Sequence, residues 1–318
     1  MHVTALRIHP VKSTAGIELD AAEVEPWGLA GDRRWAVTDE QGRKLTARTH
    51  RRLLHVTAWP GVDGAVTLEG PGMAPLPVTQ PSLGEVAPVD FSRLAHATRA
   101  GGDADRWLSR FLGVPARLVW LDDPRRRPVD VRHGGREGDA LSLADAGPVL
   151  LTSGASLRML DRWIAGEAVR RGEPVPPSTA MARFRPNIVV EAPQPFVEDG
   201  WAHVRVGDVL FRIAAPCDRC VLTTIDPTTL ERGAEPTRSL ARHRRRDGKL
   251  MFGVRLVPEA LGTIHVGDSV TATGAGDDAG LPEAASTSPS VPASASACRP
   301  GRTYGRRSSA SDRDQPEP

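Results

Sequence analysis

Hydrophobic and polar residues alternate with period two along most of the first 272 residues. Such alternation is typical of β-strands that bury one face. Turn signals such as Pro60-Gly61 and Gly207-Asp208 separate several of these segments. The predicted strands are Val3–Ile8, Glu18–Val24, Arg34–Thr38, Leu53–Trp59, Val66–Leu68, Ala116–Leu121, Val149–Thr152, Asn187–Glu191, His203–Ile213, Val221–Ile225, Met251–Val257 and Thr263–Thr271.

Two segments follow the helical period instead. Asp103 can cap a helix over Ala104–Leu112, which Gly113 would end. Ser153 can cap a second helix, whose apolar residues recur at helical spacing. The stretch Gly70–Pro88, rich in proline and glycine, is predicted to be a loop. Many short strands with few helices predict a mainly β, α+β protein made of β-barrels with helical insertions.

The last 46 residues, Thr273 to Pro318, have a different composition. They hold 8 Ser, 8 Ala, 6 Pro and 5 Gly, and no Phe, Trp, Ile or Met. Such a segment cannot bury enough apolar surface to offset the entropy of ordering the chain. We therefore expect residues 273–318 to be a disordered tail, and Cys298 within it to play no part in the chemistry.

Composition narrows the possible functions. The 318 residues carry 41 Lys+Arg against 39 Asp+Glu, a formal net charge of +2, which gives no general reason to expect a nucleic-acid partner. No apolar run approaches the roughly 20 residues that cross a bilayer, and no secretory signal is visible. We expect a soluble, monomeric, cytoplasmic protein without a membrane partner. No G-x-S-x-G, Walker or G-x-G-x-x-G motif supports a hydrolase, kinase or dinucleotide enzyme.

The most specific chemical signal is Pro216-Cys217-Asp218-Arg219-Cys220, between two predicted strands. Structural zinc needs four ligands, and no second C-x-x-C or paired histidine completes the set. A redox dithiol is expected at a helix start, whereas the residues that follow here look like a strand. Two inert buried cysteines would fit poorly with the Asp-Arg pair between them. A single thiolate that binds a soft metal presented by a cofactor is the fourth alternative, and all four stay open.

Three other segments offer donors for an anion. Arg183-Phe184-Arg185-Pro186-Asn187 sets two arginines and an amide beside a rigid proline. His9-Pro10-Val11-Lys12-Ser13 is a compact donor set, and Gly28–Trp35 joins a turn to a strand with two more arginines. Taken singly, the first is more typical of an exposed strand entrance with solvated arginines, and the second is a weak signal because Lys-Ser pairs are common. The basic runs Arg125–Arg127 and Arg242–Arg246 are typical of solvated faces.

Taken together and in order, these segments resemble the MOSC superfamily. The resemblance is to the branch with an N-terminal β-barrel domain that includes the mitochondrial amidoxime-reducing component and its bacterial relatives. It runs from about His2 to Thr271, and PCDRCVLTTIDPTT and RFRPNIVV are its most specific parts. The other carriers are HPVKSTAGI, GLAGDRRWAV, LTARTHRRL, LLTSGASL, FGVRLV and GTIHVGDSV. The resemblance implies an N-terminal MOSC β-barrel domain, residues 1–92, packed on a MOSC β-barrel domain, residues 93–272.

The resemblance also implies a mononuclear molybdenum-pterin cofactor, held through the pterin dithiolene and one protein cysteine. The motif places that metal ligand and catalytic residue at Cys220, while Cys217 is not expected to ligate. The residues that match cofactor-binding positions are Lys12, Ser13, Arg34, Ser153, Ser156, Arg185, Asn187, Asp218 and Arg219. Arg126, in the loop after Trp120, is a further candidate for the substrate entrance.

The function that the resemblance implies is reduction of N-hydroxylated compounds such as hydroxylamino bases and amidoximes. Three cysteines cannot ligate an iron–sulfur cluster, so we expect no such cluster on this chain and a separate electron donor, a ferredoxin- or flavoprotein-type reductase. The alternative is a carrier that binds the molybdenum cofactor or sulfur and passes it on without turnover. A thiol–disulfide protein that uses Cys217 and Cys220 is the third hypothesis.

Overall fold

The computed structural model of the chain describes residues 1–82 and 84–274, which form nineteen strands and three α-helices. The predicted mainly β class with helical insertions is thus confirmed. The helices are α1 (Gly102–Leu112), α2 (Gly154–Arg171) and α3 (Thr237–His243). The strands are β1 (His2–Ile8), β2 (Ile17–Leu19), β3 (Ala21–Glu25), β4 (Gly28–Leu29), β5 (Trp35–Thr38), β6 (Thr57–Pro60), β7 (Val66–Glu69), β8 (Leu76–Val78), β9 (Val86–Phe91), β10 (Leu94–Arg99), β11 (Arg117–Trp120), β12 (Val149–Ser153), β13 (Ile188–Glu191), β14 (Trp201–Val206), β15 (Val209–Asp218), β16 (Arg245–Arg246), β17 (Lys249–Pro258), β18 (Gly262–His265) and β19 (Val270–Gly274).

The largest sheet has nine strands. Its order is β19-β14-β15-β17-β12-β13-β1-β2, with β16 added on β17. Helix α2 connects β12 to β13, and these two strands pair in parallel, whereas β1 pairs with β13 antiparallel, with Leu6 opposite Ile188. The apolar side chains of this sheet meet in one core, which includes Leu6, Phe211 and Val254, each fully buried. Burial of one face of each strand explains the period-two pattern.

Three smaller sheets complete the fold. Their orders are β5-β11-β10-β9, β18-β3-β4 and β6-β7-β8. Strands β5 and β11 and the sheet of β6, β7 and β8 line a second core, whereas β3, β4 and β18 pack on the first. Trp35, Leu53, Leu68, Leu108 and Phe111 fill this N-terminal core. Helix α1 contributes the last two of these from its apolar side, and it ends at Gly113, which adopts the predicted left-handed conformation (φ 74°).

The N-terminal segment does not form its sheets alone. Strand β1 pairs with β13, and β3 pairs with β18 near the other end of the described chain. The hairpin of β9 and β10 spans residues 92 and 93, where the sequence analysis placed the domain boundary. A cut at that point would divide a hydrogen-bonded hairpin. The two predicted barrels therefore exchange strands, which brings loops from both to the same place.

Several local predictions differ from the structure for identifiable reasons. Val221–Ile225 was predicted as a strand, but Val221–Thr224 form a 3-10 turn. Leu222 and Ile225, three residues apart, share one face of this turn and pack against the N-terminal core, so their burial gave the segment an apolar pattern without a strand. The predicted loop Gly70–Pro88 contains β8 and the start of β9, each at the edge of its sheet, where strand prolines are tolerated. Helix α3 was not predicted.

The C-terminal strand runs further than its pattern predicted. Thr273 and Gly274, assigned to the tail, pair in β19 with His203 and Trp201 of β14. The rest of the predicted disordered tail lies outside the described residues. Within the described part, no helix is long and apolar enough to cross a membrane.

Truncation tests the role of β19. Removal of residues 275–318 keeps every β14–β19 pair, and we expect an unchanged melting temperature. Removal from Val270 onward exposes the partners of a buried valine and leaves one edge of β14 unpaired, so we expect the melting temperature to fall by at least about 3 °C. Thermal unfolding followed by circular dichroism measures both. A large loss from the shorter truncation would show that residues beyond Gly274 contribute to the core.

Candidate functional site

A cleft of about 120 Å³ lies where loops from both predicted barrels meet. Five neighbouring strands of the large sheet, β15, β17, β12, β13 and β1, carry or precede most of its lining. The cleft is lined by Lys12, Ser13, Arg33, Arg48, Ala144, Asp145, Ala146, Gly147, Val149, Leu150, Phe184, Arg185, Asn187, Cys217, Asp218, Arg219, Cys220, Leu222 and Arg255. Of the predicted site residues, the structure brings together Lys12, Ser13, Arg185, Asn187, Asp218, Arg219 and Cys220.

The two cysteines of the motif have different surroundings. Strand β15 ends at Asp218, and the chain then turns so that Cys220 is exposed. The Arg48 guanidinium donates to Cys220 Sγ at 3.7 Å. Cys217 is buried, and Arg219 donates to its sulfur at 3.0 Å. Both thiols are free, and only Cys220 offers an accessible sulfur with a cation beside it.

Positive charge in the cleft exceeds negative charge. Six cationic side chains line it, against the two carboxylates of Asp145 and Asp218. Asp145 pairs with Lys12 and lies 3.7 Å from Arg48, while Asp218 pairs with Arg255. The remaining cations are Arg33, Arg185 and Arg219. Among the residues that the structure describes, Arg33 alone of these three has a carboxylate partner, Asp32 behind the cleft.

Burial of these cations changes their acidity. Desolvation, followed by repulsion from Arg33, lowers the pKa of Arg185 to about 9. Desolvation also lowers the pKa of Lys12 to about 8, although the Asp145 carboxylate acts in the opposite direction. Both shifts mean that the protein disfavours these charges, and a bound anion would relieve the cost. The cleft is therefore suited to an anionic ligand.

Unused hydrogen-bond donors support the same conclusion. Arg185 donates through Nη1 to the Thr14 carbonyl at 2.6 Å, but its buried Nη2 has no partner among the described residues. Arg219 donates through Nη2 to the Phe184 carbonyl at 2.6 Å, but its buried Nε has none there either. Buried donors are nearly always satisfied in native proteins, so these two guanidiniums call for a ligand that accepts hydrogen bonds.

Three lining residues adopt a left-handed backbone that L-residues rarely take. Their φ angles are 72° at Ser13, 49° at Arg33 and 55° at Arg185. Such conformations cost on the order of 1–3 kcal/mol each and concentrate at ligand sites. Arg33 and Arg185 lie shortly before β5 and β13, and Ser13 lies in the loop between β1 and β2, so in each case the strained turn sets the direction of a polar residue at the cleft.

Arg33 lines the cleft, and its neighbour Arg34, the residue chosen from the sequence, does not. Adjacent residues at a strand entrance point in different directions, and Arg34 lies beside the rings of Trp27 and Trp120. Its guanidinium donates to the carbonyl oxygens of residues 121 and 122 at 2.8 Å. Arg33 instead donates to the Arg185 carbonyl at 3.2 Å.

The two predicted serines of helix α2 are not brought to the cleft. Ser156 is fully buried, where its hydroxyl donates to Glu198 at 2.7 Å and accepts from the Phe196 N–H. Ser153 precedes the helix, but its buried hydroxyl makes no capping hydrogen bond. Arg126 does not line the cleft either. It pairs with Asp122.

Asn187 borders the cleft, but its amide joins strands. Its Oδ1 accepts from the Leu150 N–H at 3.1 Å and from Arg33 at 3.2 Å. Its Nδ2 donates to the Arg7 carbonyl at 3.1 Å. These hydrogen bonds tie β1 and β12 to the start of β13 and hold Arg33.

A buried carboxylate supports Arg33 from behind. Asp32 accepts from the His9 N–H at 2.7 Å and pairs with the Arg33 guanidinium. Burial raises the pKa of Asp32, but the charge of Arg33 and the hydrogen bond and charge of His9 outweigh it and lower that pKa to about 2. Asp32 thus stays ionised and fixes the orientation of Arg33.

Sequence reasoning missed four cleft residues, Arg33, Arg48, Asp145 and Arg255. Arg33 and Arg48 lie inside motifs that the resemblance uses, but nothing in their spacing shows which arginine faces the cleft. Arg255 reaches the site because β17 places it opposite Leu150 of β12 and Ala215 of β15. Within the described ranges, no three His, Cys, Asp or Glu side chains converge as a metal site.

Comparisons with known proteins agree with the motif resemblance. Residues 1–115 match the MOSC N-terminal beta barrel domain, and residues 138–271 match the MOSC domain. Mouse mitochondrial amidoxime-reducing component 1 is 34% identical over 288 residues, covering 84% of this chain and 81% of that protein. The human protein of the same name is 32% identical, covering 84% and 82%. A zebrafish molybdenum cofactor sulfurase is 32% identical over 81% of this chain, which spans only 32% of that protein.

Replacement of Asn187 tests its structural role. Asn187→Ala leaves a buried backbone N–H and C=O without partners, so we expect a loss of about 2–4 kcal/mol in the free energy of unfolding. Urea denaturation at pH 7 measures it, with Gln41→Ala, an exposed amide, as the control. A loss below about 0.5 kcal/mol would show that these hydrogen bonds are not needed.

Acid titration tests the pair of Asp32 and Arg33. Because the pKa of Asp32 is lowered on folding, its contribution to stability is present above about pH 4 and is lost as the pH falls toward 2. Asp32→Asn should therefore be less stable than the parent at pH 6, by on the order of 2 kcal/mol, and the gap should narrow at pH 3. Urea unfolding of both proteins at pH 6 and pH 3 measures the difference in their free energies of unfolding. A difference that does not depend on pH would contradict the lowered pKa of Asp32.

Proposed function

We propose that the chain, which belongs to the family of MOSC-domain proteins with an N-terminal MOSC β-barrel domain, is a molybdenum-cofactor-dependent reductase. Its substrates would be N-hydroxylated compounds. The names of its relatives support this, since those of about 32–34% identity over most of both chains are amidoxime-reducing components. The observation that carries the proposal is the exposed Cys220 thiol at the edge of a cleft with excess positive charge and unpartnered guanidinium N–H groups.

These residues fit the phosphorylated pterin cofactor. Arg185 and Arg219 each have a buried N–H without a partner in the described structure, as a phosphate or pterin edge requires. Lys12, Ser13 and Arg33 would hold the phosphate beside Arg185, and Arg33 is already oriented by Asp32. The single exposed sulfur of Cys220 is the soft ligand that molybdenum favours. When bound, the cofactor supplies a two-electron redox centre for cleavage of an N–O bond.

The protein has a separate task at each side of the cleft. Cys220 would hold the metal, and Arg48, 3.7 Å from its sulfur, would stabilise the thiolate. Asp218 neutralises Arg255 and fixes the end of β15. Arg219 packs over the Phe184 ring and joins the cysteine motif to the segment before β13.

The electron donor is proposed to be a separate protein. Reduction of an N–OH group to N–H consumes two electrons and two protons and releases water. The three cysteines of the chain cannot provide the four ligands of an iron–sulfur cluster beside a metal ligand. A ferredoxin- or flavoprotein-type reductase would supply the electrons, and the N-hydroxylated substrates would be hydroxylamino bases or amidoximes.

A carrier function is the second candidate, because the chain is also similar to molybdenum cofactor sulfurases. A carrier would release the cofactor to an acceptor and would not turn over. Loaded protein passed through gel filtration and mixed with an acceptor apoenzyme distinguishes the two. A reductase keeps its molybdenum and reduces substrate, whereas a carrier activates the acceptor.

The two cysteines provide the sharpest test of the reductase. Cys220→Ser removes the proposed metal ligand, so we expect activity with reduced viologen and a hydroxylaminopurine to fall at least about 100-fold. Cys217→Ser should keep most of the molybdenum and activity, because Cys217 is buried and bonded to Arg219. Molybdenum per chain and turnover are measured after both variants are shown to fold. Equal losses would favour a zinc or dithiol site and remove the assignment of Cys220.

A further inference from the structure

A second, smaller depression of about 50 Å³ lies next to the cleft, and the two share Asp145 and Ala146. Polar and charged side chains dominate its lining. None of them was proposed to hold the cofactor, and only Asp145 contacts a residue that was, Lys12. The charged and titratable residues are Arg93, Arg127, Asp130, Arg132, His133 and Asp145. Apart from the shared residues 145 and 146, its lining comes from segments that do not line the cofactor cleft.

Arg127 is the unusual member of this group. Its side chain lies almost wholly inside the protein, with 4% of the residue exposed. It donates to the carbonyl oxygens of Ser92 at 3.1 Å and Ala144 at 2.6 Å, and also to that of Ser142. Within the described residues it forms no ion pair, although buried arginines are normally paired with a carboxylate. Burial lowers the pKa of Arg127 to about 10, even with Asp145 acting against the shift.

The rim of the depression adds further positive charge. Arg93 and Arg132 share one carboxylate, Asp130, at 3.3 and 2.9 Å. Asp145 is already engaged by Lys12 and Arg48. Arg93, Arg127 and Arg132 therefore carry three positive charges against the one carboxylate of Asp130, which Arg132 already binds through Nε and Nη2 at 3.2 and 2.9 Å. Two of these charges stay unbalanced, and guanidinium N–H groups match the oxygens of a phosphate.

The depression is within reach of the reacting end of the cleft. Arg48 contacts Cys220 Sγ at 3.7 Å on one side and Asp145 at 3.7 Å on the other. Asp145 in turn borders the depression. A ligand with its N–OH group near Cys220 and an anionic group beyond Asp145 would occupy both spaces. The depression has room for one small anion, which favours a single phosphate over a polyphosphate.

We propose that this depression is an anion subsite for the phosphate of the substrate, and that the substrates are N-hydroxylated bases carried on nucleoside monophosphates. The inference rests on the proposed reductase function and narrows its substrate class. The same chemistry would also suit a phosphate that belongs to the cofactor. The experiment therefore separates these two sources.

The test compares N4-hydroxycytidine with its 5′-monophosphate as substrates of the molybdenum-loaded enzyme with reduced viologen. The parent should show a KM at least about tenfold lower for the monophosphate, at similar kcat. The double variant Arg93→Gln/Arg132→Gln, whose side chains are 42% and 80% exposed, should lose that preference and keep the nucleoside kinetics. Arg106→Gln, an exposed arginine that pairs with Asp103 on α1, is the matched control and should change neither KM.

Arg127→Gln removes the buried charge itself and should abolish the preference. If this variant does not fold, the exposed double variant decides. A parent enzyme that reduces the nucleoside without preferring the monophosphate overturns the subsite. Loss of molybdenum or pterin from the double variant also overturns it, because the anion would then be that of the cofactor.

Binding provides a readout that does not depend on turnover. Cytidine 5′-monophosphate, which carries no N–OH group, should bind the loaded protein at least about tenfold more tightly than cytidine in a calorimetric titration. The double variant should lose this difference. If neither hydroxylated compound is reduced but this pattern is found, the subsite stands and the reductase function fails. Equal binding of both ligands by the parent overturns the subsite.

Discussion

Buried positive charge that the protein does not neutralise is the constraint on which this site depends. Arg185 and Arg219 lie in the cleft without a carboxylate partner in the described structure, and each leaves a buried N–H unused. The cost of burying such charges appears in the lowered pKa of Arg185. Elements from both predicted barrels hold the cations in place despite this cost in free energy. A bound anionic ligand would reduce that cost.

The exchange of strands between the two predicted barrels makes that arrangement possible. Strand β1 belongs to the N-terminal segment but pairs with β13, so the loop that carries Lys12 and Ser13 lies beside the segment that carries Arg185. Asn187 fastens this junction through the backbones of β1 and β12. Behind it, the ionised Asp32 holds Arg33. Rigid support of this kind keeps charged donors at fixed positions in the cleft.

The two cysteines show how the same motif produces two environments. Cys217 lies at the end of β15, inside the protein and bonded to Arg219, whereas the turn after it exposes Cys220 beside Arg48. A zinc site or a redox dithiol would need both sulfurs to act together. One accessible thiol beside a cleft with excess positive charge instead suits a metal that arrives with its own ligands. The adjacent depression also contains a buried cation, Arg127, that forms no ion pair with a carboxylate among the described residues.

The sequence alone was sufficient for the mainly β class, for the presence of α1 and α2 and for the cysteine motif, because alternation, helical spacing and compact motifs are local properties. The predicted caps did not form, since α1 begins before Asp103 and Ser153 makes no capping hydrogen bond. The motif resemblance, read from the sequence, supplied seven residues that line the cleft. It misassigned Val221–Thr224 because burial against a distant core imitates a strand pattern. Arg33 was confused with Arg34 because the left-handed turn that separates their directions has no sequence signature. Asp145 and Arg255 could not be found at all, since only strand pairing and loop packing bring them to the cleft. Which polar residues face a common ligand was thus decided by the tertiary structure.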